Sequence, residues 1–187
     1  MFHTAGWQVL RLGGSMCNAE GYRWKHFRGP RRVPYAGFWH PAASSGFRIF
    51  ETLELCEAAE VECAITINNK ETPLDMADFI EYCFGGRSTP WGNIRAEDGR
   101  EAPYRPFTVE IGNEQGLTTD FIEQVRAIAA AMQQRARQLK VAMPFLAVGQ
   151  NIDLKPNFQE GRELTRKMLE VLQPFGPKAS WDAHIGG

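Results

Sequence analysis

Short apolar runs and helix-period stretches alternate along this chain. The first run is Trp7-Gln-Val-Leu-Arg11, closed by Gly13-Gly14. The second, Val61-Glu-Cys-Ala-Ile-Thr-Ile67, closes on Asn68-Asn69. The third, Phe107-Thr-Val-Glu-Ile111, leads into Gly112-Asn113-Glu114. The fourth joins Lys140-Val-Ala-Met143 to Phe145-Leu-Ala-Val148 across Pro144, and the fifth is Ser180-Trp-Asp-Ala-His-Ile185. Runs of β-branched and aromatic residues between turn formers predict strands over 7–11, 61–67, 107–112, 140–148 and 180–185.

Helical patterns fill most of the gaps. Phe47, Phe50, Leu53 and Cys56 recur every third residue, predicting one face of a helix over 47–59. Thr72-Pro73 predicts a helix start, with Thr as N-cap, Pro in the first position, Asp75 in the first turn and Gly85 just past the end. Asp120 and Glu123 stand in capping-box spacing ahead of an alanine-rich stretch, predicting a helix over 120–138. A last helix over 159–172 is stopped by Pro174 and Gly176.

Such alternation needs crossover connections, hence parallel strands covered by helices. A doubly wound sheet and a barrel both fit. Neither GxGxxG nor GxxxxGK[ST] follows any strand, so the usual nucleotide-binding signatures are missing. Each strand instead ends in polar or glycine-rich residues, at the face where barrel enzymes keep their chemistry. Two long excursions lie on that side: residues 15–46, rich in aromatics and Arg, and residues 85–106, which carry Trp91.

Composition narrows the function classes. The 187 residues favour a single domain, 1–187, and the 43% hydrophobic and 23% charged fractions are ordinary for a soluble globular protein. A net charge of −1 gives no reason to expect nucleic acid or anionic membrane as a partner. No apolar run approaches membrane-spanning length. Met1 to Arg11 lacks the basic start and apolar stretch of a signal peptide. Cys17, Cys56, Cys63 and Cys83 show no metal-ligand spacing and read as free thiols; neither metal nor cofactor is expected.

Candidate chemistry centres on Asn113-Glu114. A carboxyl group at a strand's C-terminal end, partly walled from water, can hold its proton near neutral pH and donate it to a leaving oxygen. An adjacent Asn can hydrogen-bond a sugar hydroxyl, such as the 2-OH, and strengthen that bond in the transition state.

The stretch Thr108-Val-Glu-Ile-Gly-Asn-Glu114 resembles the acid/base strand of α-L-arabinofuranosidases, clan A glycoside hydrolases. Further matches follow in order. Leu10-Arg-Leu-Gly-Gly14 is similar to that family's R-x-P-G-G second strand, and Gly21-Tyr-Arg-Trp-Lys25 with Gly29-Pro-Arg31 to its RWKD…GPR loop. Ile49 to Glu57 resembles its DEFLELCE helix. Phe79-Ile-Glu-Tyr-Cys83 with Ser88-Thr-Pro-Trp-Gly92 resembles its WVEYCNG…STxWG segment, and Trp181-Asp-Ala-His184 its sixth strand.

The resemblance implies an α/β fold, an incomplete (β/α)8 TIM-type barrel of about five parallel units, strands two to six of the family barrel. It implies Glu114 as acid/base of a retaining hydrolase of arabinose-containing plant cell-wall polysaccharide. Asn113, Asn68, Trp91, Arg11 and His184 would bind the sugar or line its pocket. Each also has a plain structural role open to it: a turn for Asn68, a rim anchor for Trp91, an interior ion pair for Arg11, a core imidazole for His184. The family's Pro before Gly-Gly is Leu12 here, and the D of RWKD is His26.

The family's nucleophile is a Glu on the seventh strand, a position no residue here occupies. Retaining hydrolysis needs two carboxyl groups about 5–5.5 Å apart. Glu110 and Glu114, four residues apart on one strand, are separated by roughly 13 Å. Asp182 sits low on the last strand. The expected partners are therefore a carbohydrate and the missing barrel segments of a longer chain. A non-catalytic carbohydrate-binding or vestigial fragment, or another clan A glycosidase activity, is the competing reading.

Overall fold

The computed structural model describes residues 6–30, 34–43, 46–151 and 158–184. Five strands form one sheet: β1 (Val9–Leu12), β2 (Glu62–Ile67), β3 (Thr108–Gln115), β4 (Phe145–Asn151) and β5 (Ala179–His184). They lie side by side in chain order, and every neighbouring pair is parallel. The helices between them are α1 (Ile49–Ala59), α2 (Pro73–Phe84), α3 (Pro90–Glu97), α4 (Thr119–Leu139) and α5 (Phe158–Leu172).

Strand order that never reverses, joined by crossovers of one hand, keeps successive helices on one side of the sheet. That side is the core: Ile65, Ile67, Val109, Ile111 and Val148 are fully buried, facing Phe79, Ile80, Val125, Ile128 and Met132 from α2 and α4. The other side alternates with it and carries Val9, Arg11, Thr66, Glu110, Phe145 and Asp182, with Val9 54% and Phe145 50% exposed. This is the wall of an incomplete (β/α)8 barrel, helices outside and a partly polar inner face.

Local chemistry explains the boundaries. Thr72 caps α2 as expected, its Oγ1 accepting from the Asp75 N–H at 3.0 Å. Four boundaries differ from expectation. Phe47 is outside α1 and 53% exposed; the buried face is built from Ile49, Phe50, Leu53 and Cys56. Thr118, and not Asp120, caps α4 by accepting from the Phe121 N–H. Lys140 is the left-handed end of α4, so residues 140–143 are a connection, and β4 starts only after Pro144, which has no N–H to give a ladder. Within 85–106, α3 forms where a loop was expected, capped by Thr89 in the same Thr-Pro manner as α2.

The other excursion sends part of its aromatic content into the core. Tyr22, Trp24 and Phe27 are at most 1% exposed, and Trp24 packs against Phe79 and Tyr82 of α2.

Candidate active site

β3 departs from regular pairing just where the chemistry is expected. Ile111 pairs with Val148 and Gln115 with Gln150, so three residues of β3 oppose the single Gly149 of β4. Gly112 (φ 72) and Glu114 (φ 51) are both left-handed within this bulge. A non-glycine residue in that region is uncommon and recurs at functional sites. Gly149 makes the bulge possible, because a Cβ there would sit 2.3 Å from the Gly112 carbonyl oxygen. The bulge re-aims two successive side chains: Asn113 is 1% exposed, while Glu114 stands exposed at the strand end.

Asn113 is the hub. Its Oδ1 accepts from Arg11 Nη2 at 2.8 Å and from the Gly14 N–H at 3.1 Å. Its Nδ2 lies 3.5 Å from Glu114 Oε2. Its carbonyl accepts from Asn18 Nδ2 at 3.0 Å and Gln115 Nε2 at 2.8 Å. The Leu12-Gly13-Gly14 turn serves this arrangement. A Cβ on Gly13 would lie 2.4 Å from the Arg11 guanidinium, and Gly14 takes φ 101, which a side chain rarely tolerates.

Arg11 also forks onto Glu110, with Nε to Oε2 at 2.8 Å and Nη2 to Oε1 at 2.9 Å. The Thr66 hydroxyl donates to the same carboxylate, and Asp182 lies 3.6 Å from Arg11 Nε. Burial pushes the Glu110 carboxyl above its ordinary range, and a hydrogen bond with Asp182 adds to this; Arg11 and Thr66 pull it back.

Asn68 directly follows β2 at the same end of the sheet. It is fully buried, its Nδ2 donating to the Ala19 carbonyl at 2.7 Å and its Oδ1 accepting from the Lys70 N–H at 2.8 Å. It thus fixes the loop that carries Asn18. Three residues on, Glu71 Oε1 accepts from the Trp24 N–H at 2.8 Å, and burial pushes this carboxyl up to about 7.

Arg11, Asn113, Glu114 and Asn68 therefore meet at one set of strand ends. Trp91 is placed elsewhere: its ring stacks edge-on against Trp24 at 5.3 Å with Lys25 Nζ 4.7 Å from its centre, and its backbone N–H donates to Glu81 Oε1. His184 pairs with Asn151 at the end of β5; its side chain lies outside the described residues. Asn18, Glu110 and Gln115 complete the arrangement without having been singled out as binding residues. Among the described residues no group of His, Cys, Asp or Glu could hold a metal, no helix is long and apolar enough to cross a membrane, and the four cysteines are free and buried.

A one-sided (β/α) barrel wall with an Asn-Glu pair on the bulged end of a strand has the architecture of a barrel glycoside hydrolase. Residues 2–163 match the family model of the alpha-L-arabinofuranosidase 1 domain, and the chain belongs to that family. It is 33% identical over 146 residues to a probable α-L-arabinofuranosidase C of Aspergillus terreus, covering 75% of this chain and 29% of that one. It is 28% identical over 149 residues to an extracellular exo-α-L-arabinofuranosidase of Streptomyces chartreusis, covering 70% and 17%. Among solved structures it is similar to the α-L-arabinofuranosidase of Thermotoga maritima, with a TM-score of 0.65 and 22% identity over 89% of this chain and 34% of that one. The chain thus spans under a third of those two curated relatives and about a third of that solved chain.

Proposed function

We propose that these residues form the acid/base side of an α-L-arabinofuranosidase site acting on arabinose-containing plant cell-wall polysaccharide. Glu114 is the general acid/base. In the first step it gives its proton to the departing glycosidic oxygen while a carboxylate bonds to the anomeric carbon. In the second it takes a proton from the water that displaces that carboxylate. Asn113 hydrogen-bonds a hydroxyl of the sugar ring, and Arg11 with Asn68 keeps that wall of the pocket in place. His184 is kept as a sugar contact on the resemblance alone, while Trp91, packed on Trp24, is read as a rim anchor.

One observation carries this reading: the β3 bulge sets Asn113 and Glu114 side by side, with Arg11 on the far side of the amide. The nucleophile comes from outside these 187 residues. Both oxygens of Glu110 are held by Arg11 and Thr66, and Asp182 is engaged with Arg11 and Glu110, so neither is placed to attack a sugar.

Titration of the 15N-labelled chain with methyl α-L-arabinofuranoside tests the site. Saturable shifts of the Asn113, Asn18 and Gln115 side-chain amides are expected, and their loss in Asn113→Ala. Shifts confined to other regions, or none, would remove the proposal. Saturable binding without turnover in any longer form of the protein would favour a non-catalytic binding module.

A further inference from the structure

Glu110 is buried, forked onto Arg11, and has no part in the chemistry above. Its connections run toward the site. Arg11 Nη2 is shared: it donates to Glu110 Oε1 at 2.9 Å and to Asn113 Oδ1 at 2.8 Å. A guanidinium has only donors, and so has the Gly14 N–H, which reaches the same Asn113 oxygen at 3.1 Å. Two donors on one side of a carboxamide require its oxygen there. The amide nitrogen must then face the other way, toward Glu114 Oε2 at 3.5 Å.

We infer that Glu110 is a positioning residue: by clamping Arg11 in a two-point fork, it fixes the Asn113 carboxamide so that its N–H donors face the sugar beside Glu114.

The fork settles the guanidinium's angle because two parallel N–H···O bonds define a plane, which a single contact does not. The Thr66 hydroxyl donates to Glu110 Oε2, and Gly149 leaves room for the carboxylate, since a Cβ there would come within 2.7 Å of Oε1. Arg11 has an alternative: Asp182 lies 3.6 Å away and is 39% exposed, and the Arg11 side chain is itself 33% exposed. With Glu110 neutralised, Arg11 turns toward Asp182 and leaves Asn113 with one donor, free to flip. The inference rests on the proposed sugar site for its consequence, though not for the geometry.

A double-mutant cycle on the full chain tests it, with methyl α-L-arabinofuranoside as the probe. Glu110→Gln should weaken binding about tenfold, the scale of a lost charge-assisted hydrogen bond. In an Asn113→Ala background the same change should cost nothing further. Equal losses in both backgrounds would overturn the inference. A second readout does not need the sugar: the Asn113 side-chain amide pair in a 15N spectrum, assigned by its disappearance in Asn113→Ala. Glu110→Gln should shift this pair and bring its two protons into exchange; an unmoved pair would overturn the inference. Should Glu110→Gln fail to fold, Arg11→Lys, which keeps the charge and loses the fork, is expected to release the amide in the same way. If the unaltered chain binds no arabinofuranoside, the proposed function fails, while the amide pair still decides the role of Glu110.

Discussion

Gln115 Nε2 donates to Asn18 Oδ1 at 2.8 Å, and the two side chains together clasp one carbonyl, that of Asn113. The clasp joins the loop after β1 to the far end of the β3 bulge. It holds the peptide unit that precedes the left-handed Glu114.

Gln115→Ala removes the donor shared by that carbonyl and Asn18 Oδ1, and the acceptor of the Asn69 Nδ2 donor. These are three neutral hydrogen bonds of about 1 kcal/mol each, so a loss of about 2–3 kcal/mol in unfolding free energy is expected by urea denaturation. The Glu114 backbone amide should broaden in the same variant. An unchanged Glu114 signal would mean that the bulge holds itself without the clasp.

Glu71 sets a pH dependence. Its folded carboxyl sits at about 7 against an ordinary 4.5, so the folded state binds its proton more tightly than the unfolded chain. Its contribution is fully present below about pH 4.5 and is lost as pH rises through about 7. The loss amounts to about 3 kcal/mol. Glu71→Gln keeps an acceptor for the Trp24 N–H and should flatten stability between pH 5 and 8, with the variant the more stable at pH 8. Parallel pH profiles for the two proteins would show that another group is responsible.

Arg95 is fully buried, and its acceptors are the backbone carbonyls of Tyr82, Gly85, Arg100 and Glu101. It closes the C-terminal end of α2 and ties the following segment to it. Lys cannot span four carbonyls, so Arg95→Lys should destabilise by about 2–3 kcal/mol. Thermal and chemical denaturation decide this, and a loss under about 0.5 kcal/mol, the scale of an ordinary surface change, would contradict it.

Trp91 separates packing from binding. Its ring lies on Trp24 and under Lys25. Trp91→Ala should therefore cost about 2 kcal/mol of stability, since a half-buried indole leaves a cavity. Arabinofuranoside affinity should hardly change. Intact stability with lost affinity would place this ring in the sugar site.

The strand order and most elements were legible because alternation, Thr-Pro starts and Gly or Pro stops are local signals. The helix α3 carried the same signal, Thr89-Pro90, but sat inside a segment read as loop because of its length. Lys140 to Met143 looks apolar enough for a strand, yet the left-handed Lys140 and Pro144 leave it outside the ladder. The site was less legible. Arg11 meets Glu110 across 99 positions of sequence, and Asn18 meets Asn113 across 95. No spacing rule reports such pairs; only the parallel register of β1, β2 and β3 brings them together. Glu110 could be set aside as a nucleophile from distance alone, but its partnership with Arg11 needed the fold.

The most direct measurement is release of the aryl alcohol from an aryl α-L-arabinofuranoside by the 187-residue chain. Glu114 can protonate a leaving group, but an activated aryl group hardly needs that help, and general acid catalysis alone gives only about 10²–10⁴-fold. What the substrate requires is a nucleophile. The account predicts no turnover above buffer from this chain, and turnover that depends on Glu114 when it is fused to the remaining barrel strands of the Thermotoga maritima enzyme. Turnover at ordinary enzymatic rates from the 187 residues alone, abolished by Glu114→Ala, would contradict it and place a nucleophile within this chain.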